Sequence, residues 1–224
     1  MGKIRAFAIG ILFASSTFAT TMVVPGQTVA PVPAAASFPT GATQVFDTGS
    51  TTLTPGVGSL VNGVQGEAMV YRTTSGTLDF FYQITNNNTG NSTTDNLRLV
   101  TAVNFTGFTT AVGYVTSSGS VAPSDSNRTL SGAAINFDFL NASGQNTLGT
   151  KPPSGLGSTS YWLEVDTNAT TFCNTCGSLS VQDGGNAAML APAPTAVPEP
   201  ATLGFLGGGL ALLGIARLRK RKTA

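Results

Sequence analysis

The side chains that move protons, attack substrates or hold metals are few in this chain. There is no histidine in 224 residues. That removes the Ser-His-Asp and Cys-His arrangements in their usual form, and every His-containing zinc or copper site. Cys173-Asn-Thr-Cys176 is a CxxC pair. Beside a βαβ pattern in a cytosolic protein it would point to redox work. Here no helix start precedes it to depress a thiol pKa. The expectation is a Cys173–Cys176 disulfide clipping a loop in an oxidising compartment, contributing about 2 kcal/mol in the loop-entropy model.

Glu164 and Asp166 share one face of a predicted strand, roughly 6.5–7 Å apart at ~3.3 Å per residue. That separation suits an inverting glycosidase pair. Alternation, however, places both on a solvated face, and no catalytic residue is assigned. Asp183-Gly-Gly185, with Asp166, Asn168 and Asn186, carries the hard oxygen donors that calcium takes. No twelve-residue EF-hand loop or nonapeptide repeat frames them, so no metal site and no cofactor is assigned. Trp162 beside Tyr161 is a sugar-stacking platform or, more ordinarily, the rim of a core. N-x-S/T sequons fall at Asn87, Asn91, Asn104, Asn127, Asn141 and Asn168. Asn127 and Asn168 also have Asp two residues earlier (Asp125, Asp166), a pattern similar to the bacterial acceptor site. These two are the glycosylation candidates, and plain polar turns are the alternative.

The elements that position these residues read as strands. Thr77–Thr85 alternates, with Leu78, Phe80, Tyr82 and Ile84 on one face and Asp79, Phe81 and Gln83 on the other. Ala133–Leu140 puts Ile135, Phe137 and Phe139 inward. Ser160–Thr167 puts Tyr161, Leu163 and Val165 on one face and Trp162, Glu164 and Asp166 on the other. Gln65–Thr73, Leu97–Phe105, Gly107–Thr116 and Ser178–Gln182 complete the set. Short strands separated by Gly, Asn, Ser and Pro turns predict an all-β fold, an antiparallel β-sandwich with one wet face per sheet. The domain spans residues 44–186. A flexible Pro/Ala-rich lead-in covers 20–43, and an Ala/Pro-rich linker covers 187–196.

Both ends carry targeting signals. Lys3 and Arg5 precede an apolar run and then Thr17-Phe18-Ala19, the layout of a secretory signal peptide over residues 1–19, cut after Ala19 by way of the Sec translocon. Seven of the eleven basic residues lie in the two ends. Between Thr20 and Val197 only Arg72, Arg98, Arg128 and Lys151 face nine acids, so the body is about five negative. It offers no basic patch to nucleic acid.

At the other end come Pro198-Glu199-Pro200, an uncharged run over 201–216, and the cluster Arg217, Arg219, Lys220, Arg221 and Lys222. Sixteen residues at ~1.5 Å each make a transmembrane helix of roughly 24 Å, short for a hydrocarbon core of ~30 Å. The basic cluster stays cytoplasmic and the body lies outside. The two prolines break any helix before the membrane and keep Glu199 extended for a processing enzyme.

In order and content, the stretch 197–222 resembles the PEP-CTERM sorting signal of Gram-negative bacteria. The resemblance implies an exosortase as partner, a temporary membrane anchor, and delivery to the cell surface or the extracellular matrix. Families with this signal are associated with extracellular polysaccharide. Less specifically, Gly76-Thr-Leu-Asp-Phe-Phe-Tyr82, Gly107-Phe108, Val112-Gly-Tyr114 and Asp183-Gly-Gly185 resemble the bodies of other such proteins, whose function is unassigned. Two other readings stand beside a non-enzymatic envelope protein. One is a secreted carbohydrate-binding module or glycan-active enzyme on the same sandwich. The other is a permanent single-pass inner-membrane protein.

Overall fold

A computed structural model describes residues 20–35, 37–56, 63–87, 96–149, 158–183 and 185–196. The expected signal peptide and the stretch 197–222, with its PEP motif, helix and basic cluster, lie outside these residues. No helix among them is long and apolar enough to cross a membrane.

Among the described residues sixteen strands carry the fold. In chain order they are β1 (Thr21–Met22), β2 (Thr28–Val29), β3 (Val32–Ala35), β4 (Thr43–Asp47), β5 (Thr51–Thr52), β6 (Thr54–Pro55), β7 (Val64–Arg72), β8 (Leu78–Asn86), β9 (Leu99–Val103), β10 (Thr110–Val115), β11 (Asp125–Arg128), β12 (Ala134–Asp138), β13 (Ser158–Thr159), β14 (Trp162–Thr167), β15 (Thr171–Gln182) and β16 (Asn186–Thr195). They form two sheets. The first runs β1-β10-β14-β8-β7-β4, with β3, β5 and β13 added to β10, β7 and β8. The second runs β2-β11-β12-β9-β15-β16-β6. Among the described residues every pairing between these strands is antiparallel except β3 on β10.

The predicted alternation sets the packing between the sheets. Leu78, Phe80, Tyr82, Ile84, Leu163 and Val165 of the first sheet meet Val100, Ile135, Phe137, Leu179 and Val181 of the second in one buried cluster. Each fully buried large side chain contributes on the order of 1.5–3 kcal/mol. Phe80 meets Phe105 edge to face, with ring centroids 5.7 Å apart. The buried Tyr82 hydroxyl donates to the Pro192 carbonyl at 3.1 Å, tying the sheets together. This is the all-β antiparallel sandwich that the sequence predicts.

Three expectations are corrected. The lead-in over 20–43 is built into the sandwich. β1 and β3 occupy successive lengths of the same edge of β10, β2 caps the edge of β11, and β4 reaches the far edge of the first sheet beside β7. Unpaired strand edges are sticky, and these segments cover them. Between β3 and β4 the chain therefore passes across the outer face of the first sheet.

The second correction concerns residues 187–196, expected as a linker. Residues 186–195 are β16, paired with β15 through most of its length and with β6 on its other side. Ala187, Ala191 and Ala193 are buried. Their small side chains allow a close approach between sheets. A Cβ at Gly66 of β7 would lie 2.8 Å from Met189 Sδ and 2.9 Å from Leu53 Cδ1, nearer than packed atoms tolerate.

The third concerns the one wet face per sheet. Phe81, on the outer face of β8, is fully buried in a second small cluster with Met69, Val115 and Trp162, against which Phe38 and Tyr71 pack. Phe38 comes from the crossing segment. Its ring centroid lies 5.1 Å from Tyr71, 5.1 Å from Phe81 and 5.5 Å from Trp162.

Candidate functional site

The crossing segment determines what the outer face of the first sheet contains. Register places Asp166 of β14 directly opposite Asp79 of β8. Glu164 follows two residues along β14, opposite Phe81 on one side and Gly113 of β10 on the other. Directly opposed like charges destabilise a strand pair, yet this face carries three carboxylates together. One oxygen from each of Asp79, Glu164 and Asp166 lies within 4.8 Å of those of the other two.

These groups are not solvated, contrary to the reading from alternation. Asp79 is 4% exposed and Glu164 0%. Period-2 alternation identifies the face correctly, but a face opposite the main core is wet only if no other part of the chain covers it. Thr20 donates its hydroxyl to Asp166 Oδ2 at 2.6 Å. Among the described residues no N–H or alcohol hydroxyl reaches Glu164 Oε1, Glu164 Oε2 or Asp166 Oδ1, all of them buried; Glu164 and Asp166 meet each other, carboxyl to carboxyl. No basic side chain forms an ion pair with the trio among the described residues; the ion pair they do show is Arg98 to Asp138, at 3.8 Å.

The electrostatics follow from this burial. Desolvation, then the Asp166 charge, pushes the Asp79 carboxyl up to about 8. Desolvation pushes Glu164 up to about 9, with the Asp166 and Asp79 charges adding to it. Asp166 is raised by desolvation and held back by the bonds from Thr20 and Glu164. Burial first, and the neighbouring carboxylates second, thus favour the protonated forms of Asp79 and Glu164. Beside Asp166 a cleft of about 220 Å³ runs between Met22, Thr110 and Asn168 to the surface.

The other sequence candidates are dispersed. Trp162 is 5% exposed and offers no open platform; its Nε1 donates to Ser118 Oγ at 3.0 Å. Tyr161 stacks on Tyr114 instead, with centroids 5.5 Å apart. Cys173 and Cys176 are bonded, with Cα atoms 5.5 Å apart. They lie inside β15, at the irregularity where its pairing with β16 shifts between Cys173 and Gly177, rather than on a separate loop. The Asn104 side-chain amide donates to the Cys176 carbonyl.

Asn127 is a half-buried strand residue. Its amide donates to Asp138 Oδ2 at 3.2 Å and its oxygen accepts from Asn136 at 2.8 Å. Asn168 is exposed, and its oxygen accepts from the Thr109 backbone at 3.0 Å. Of the residues grouped as hard donors, Asp166 joins the trio, while Asp183 is held by Asn146 at 2.8 Å on the second sheet. Asp79 is the member that sequence reasoning missed as a site residue. Its signal was there, an acid in the middle of an otherwise apolar strand, but the partner strand is unknowable before folding.

The second sheet presents a different surface. One lateral row crosses all seven of its strands: Thr28, Asn127, Asn136, Thr101, Ser180, Ala188 and Thr54. Thr101 donates to Asn136 Oδ1 at 2.8 Å, and Asn136 donates to Asn127.

Fold and surfaces thus define an all-β sandwich with a buried acidic trio and a polar face. Residues 196–222 match the family model of the PEP-CTERM protein-sorting motif. The chain thus carries a PEP-CTERM sorting motif over these residues, and the match supports sorting to the cell envelope by an exosortase-type system. Nothing among curated proteins or solved structures matches the chain.

Proposed function

We propose that this is a non-enzymatic envelope or matrix protein of a Gram-negative bacterium, released from a transient inner-membrane anchor to the cell surface and associating there with extracellular polysaccharide. The observation that carries the reading is the tripartite tail. Pro198-Glu199-Pro200, an apolar run and a basic cluster occur in that order within the matched residues 196–222. A hydroxyl- and amide-bearing row across the second sheet supports the polysaccharide partner. Strands lie ~4.8 Å apart, so the row, interrupted at Ala188, spaces hydroxyl and amide groups across the sheet in a way suited to an extended polar chain.

The carbohydrate-enzyme alternative needs converging carboxylates at an open aromatic cleft. In the folded chain Asp79, Glu164 and Trp162 are buried, which supports the non-enzymatic reading over this alternative. The permanent-anchor alternative is separated by experiment. Intact mass and fractionation of the native protein are compared with those of Glu199→Ala. The expected wild type ends near Pro198–Pro200 and appears at the surface or in the medium, while the variant keeps its tail in the inner membrane. Wild type that retains residues 201–224 in the inner membrane would sink the sorting reading.

A further inference from the structure

We propose that Asp79, Glu164 and Asp166 form a binding site for one divalent cation of the hard, oxygen-seeking class, with calcium the member that fits best. The inference stands apart from the sorting reading and rests on the sandwich alone.

Two observations meet here. The first is the convergence of three carboxylates, from two adjacent strands, within 4.8 Å of one another. The second is the state of Glu164. It has no exposure, it projects into the same cluster, and among the described residues its oxygens meet no N–H or alcohol hydroxyl, only the carboxyl of Asp166, another acid. A buried carboxylate without a partner is strongly unfavourable. An amide or hydroxyl at this position would avoid that cost, so the carboxylate points to an occupant of opposite charge. Asp166 Oδ1 is also buried and meets no N–H or alcohol hydroxyl among them.

The remaining geometry fits an ion. Calcium–oxygen distances of ~2.3–2.6 Å let one ion touch oxygens separated by as much as the 4.8 Å seen here. Magnesium requires ~2.0–2.1 Å and keeps most of its waters, so a covered set of three carboxylates suits it less. The donor set has neither sulfur nor nitrogen, which disfavours softer metals. Thr20 bonds Asp166 Oδ2 from outside the trio, the arrangement by which an outer partner orients a ligating carboxylate. Opposite Glu164, β10 carries Gly113, and opposite Asp166 it carries Ala111. Both are small residues. The cleft at Asp166 supplies an entry path.

The test uses the exported full-length protein, freed of metal with a chelator and titrated with calcium chloride and magnesium chloride. Calorimetry counts the ions, and thermal unfolding reads the linkage. The expected result is one calcium per chain, with Kd on the order of 10⁻⁴–10⁻³ M, as for extracellular modules. The unfolding midpoint should rise with calcium and respond less to magnesium. Glu164→Gln should weaken calcium binding by about tenfold or more while raising the metal-free midpoint, a gain that shows the variant is folded. Asp79→Asn should weaken binding in the same way and serves as the second variant.

A midpoint indifferent to about 10 mM calcium, or full calcium binding in both variants, would overturn the proposal. So would a protein that ignores calcium but loses stability when one residue is inserted before Thr20. The occupant would then be the α-ammonium left by cleavage after Ala19, beside Asp166.

Discussion

At the residue scale, two buried charges are handled in opposite ways. Arg128 of β11 is 5% exposed, and its guanidinium is aimed at backbone carbonyls. It donates to Phe105, Phe108 and Gly132 at 2.8, 2.9 and 3.0 Å. Those carbonyls belong to turns that no strand ladder serves. Arg128→Ala should cost about 3 kcal/mol, because it removes charge-assisted bonds and takes the donor from the Phe108 and Gly132 carbonyls, while Phe105 keeps the Phe108 N–H; chemical denaturation checks it, and a loss under about 1 kcal/mol would refute the assignment. The acidic trio has no such internal answer.

Asp79 and Glu164 are raised above their unfolded values, to about 8 and about 9. Between the unfolded range near pH 4 and those values, the folded state binds more protons than the unfolded one. The trio's contribution is therefore favourable in acid and is lost as pH rises. In chelator, stability should fall between pH 5 and pH 9 by up to about 1.4 kcal/mol per pH unit for each titrating group. Glu164→Gln should flatten the fall. A wild-type profile that is flat or rises over this range would contradict the burial argument.

At the element scale, the informative segments are those that composition disguises. Ala/Pro-rich residues 187–195 read as a tether because apolar amplitude, on which period-2 recognition depends, is small when the inward residues are alanines. The sheet uses them for that same smallness. β16 lies between β15 and β6 and carries the Pro192 acceptor for Tyr82. A chain ending at Ala196 should keep a cooperative transition, with its midpoint within a few degrees of the full chain. One ending at Asn186 should not fold, since it leaves β15 and the inner face of β7 uncovered. Circular dichroism melts of the two separate a strand from a linker, and a folded protein ending at Asn186 would restore the linker reading. The lead-in belongs to the same class. Its strands are two to four residues long, and no periodicity can be read over such lengths. They exist because β10 and β11 offer open edges.

At the scale of the whole molecule, a sandwich ending at β16 is followed directly by the matched sorting stretch. Cleavage near Glu199 would therefore occur only a few residues from the last strand. The Glu199→Ala fractionation belongs to this scale, and its outcome is independent of calcium. The sequence by itself determined the fold class, through strict alternation in segments such as Leu78–Asn86 and Ala134–Asp138. It also determined the sorting signal, whose information lies in linear order. Tertiary structure alone decided that Asp79, Glu164 and Asp166 form one site. Alternation assigns each side chain to a face, but strand register places Asp166 opposite Asp79, and coverage by a distant segment takes them out of water. Register and coverage are contacts between residues far apart in the chain, and local sequence pattern carries no information about either.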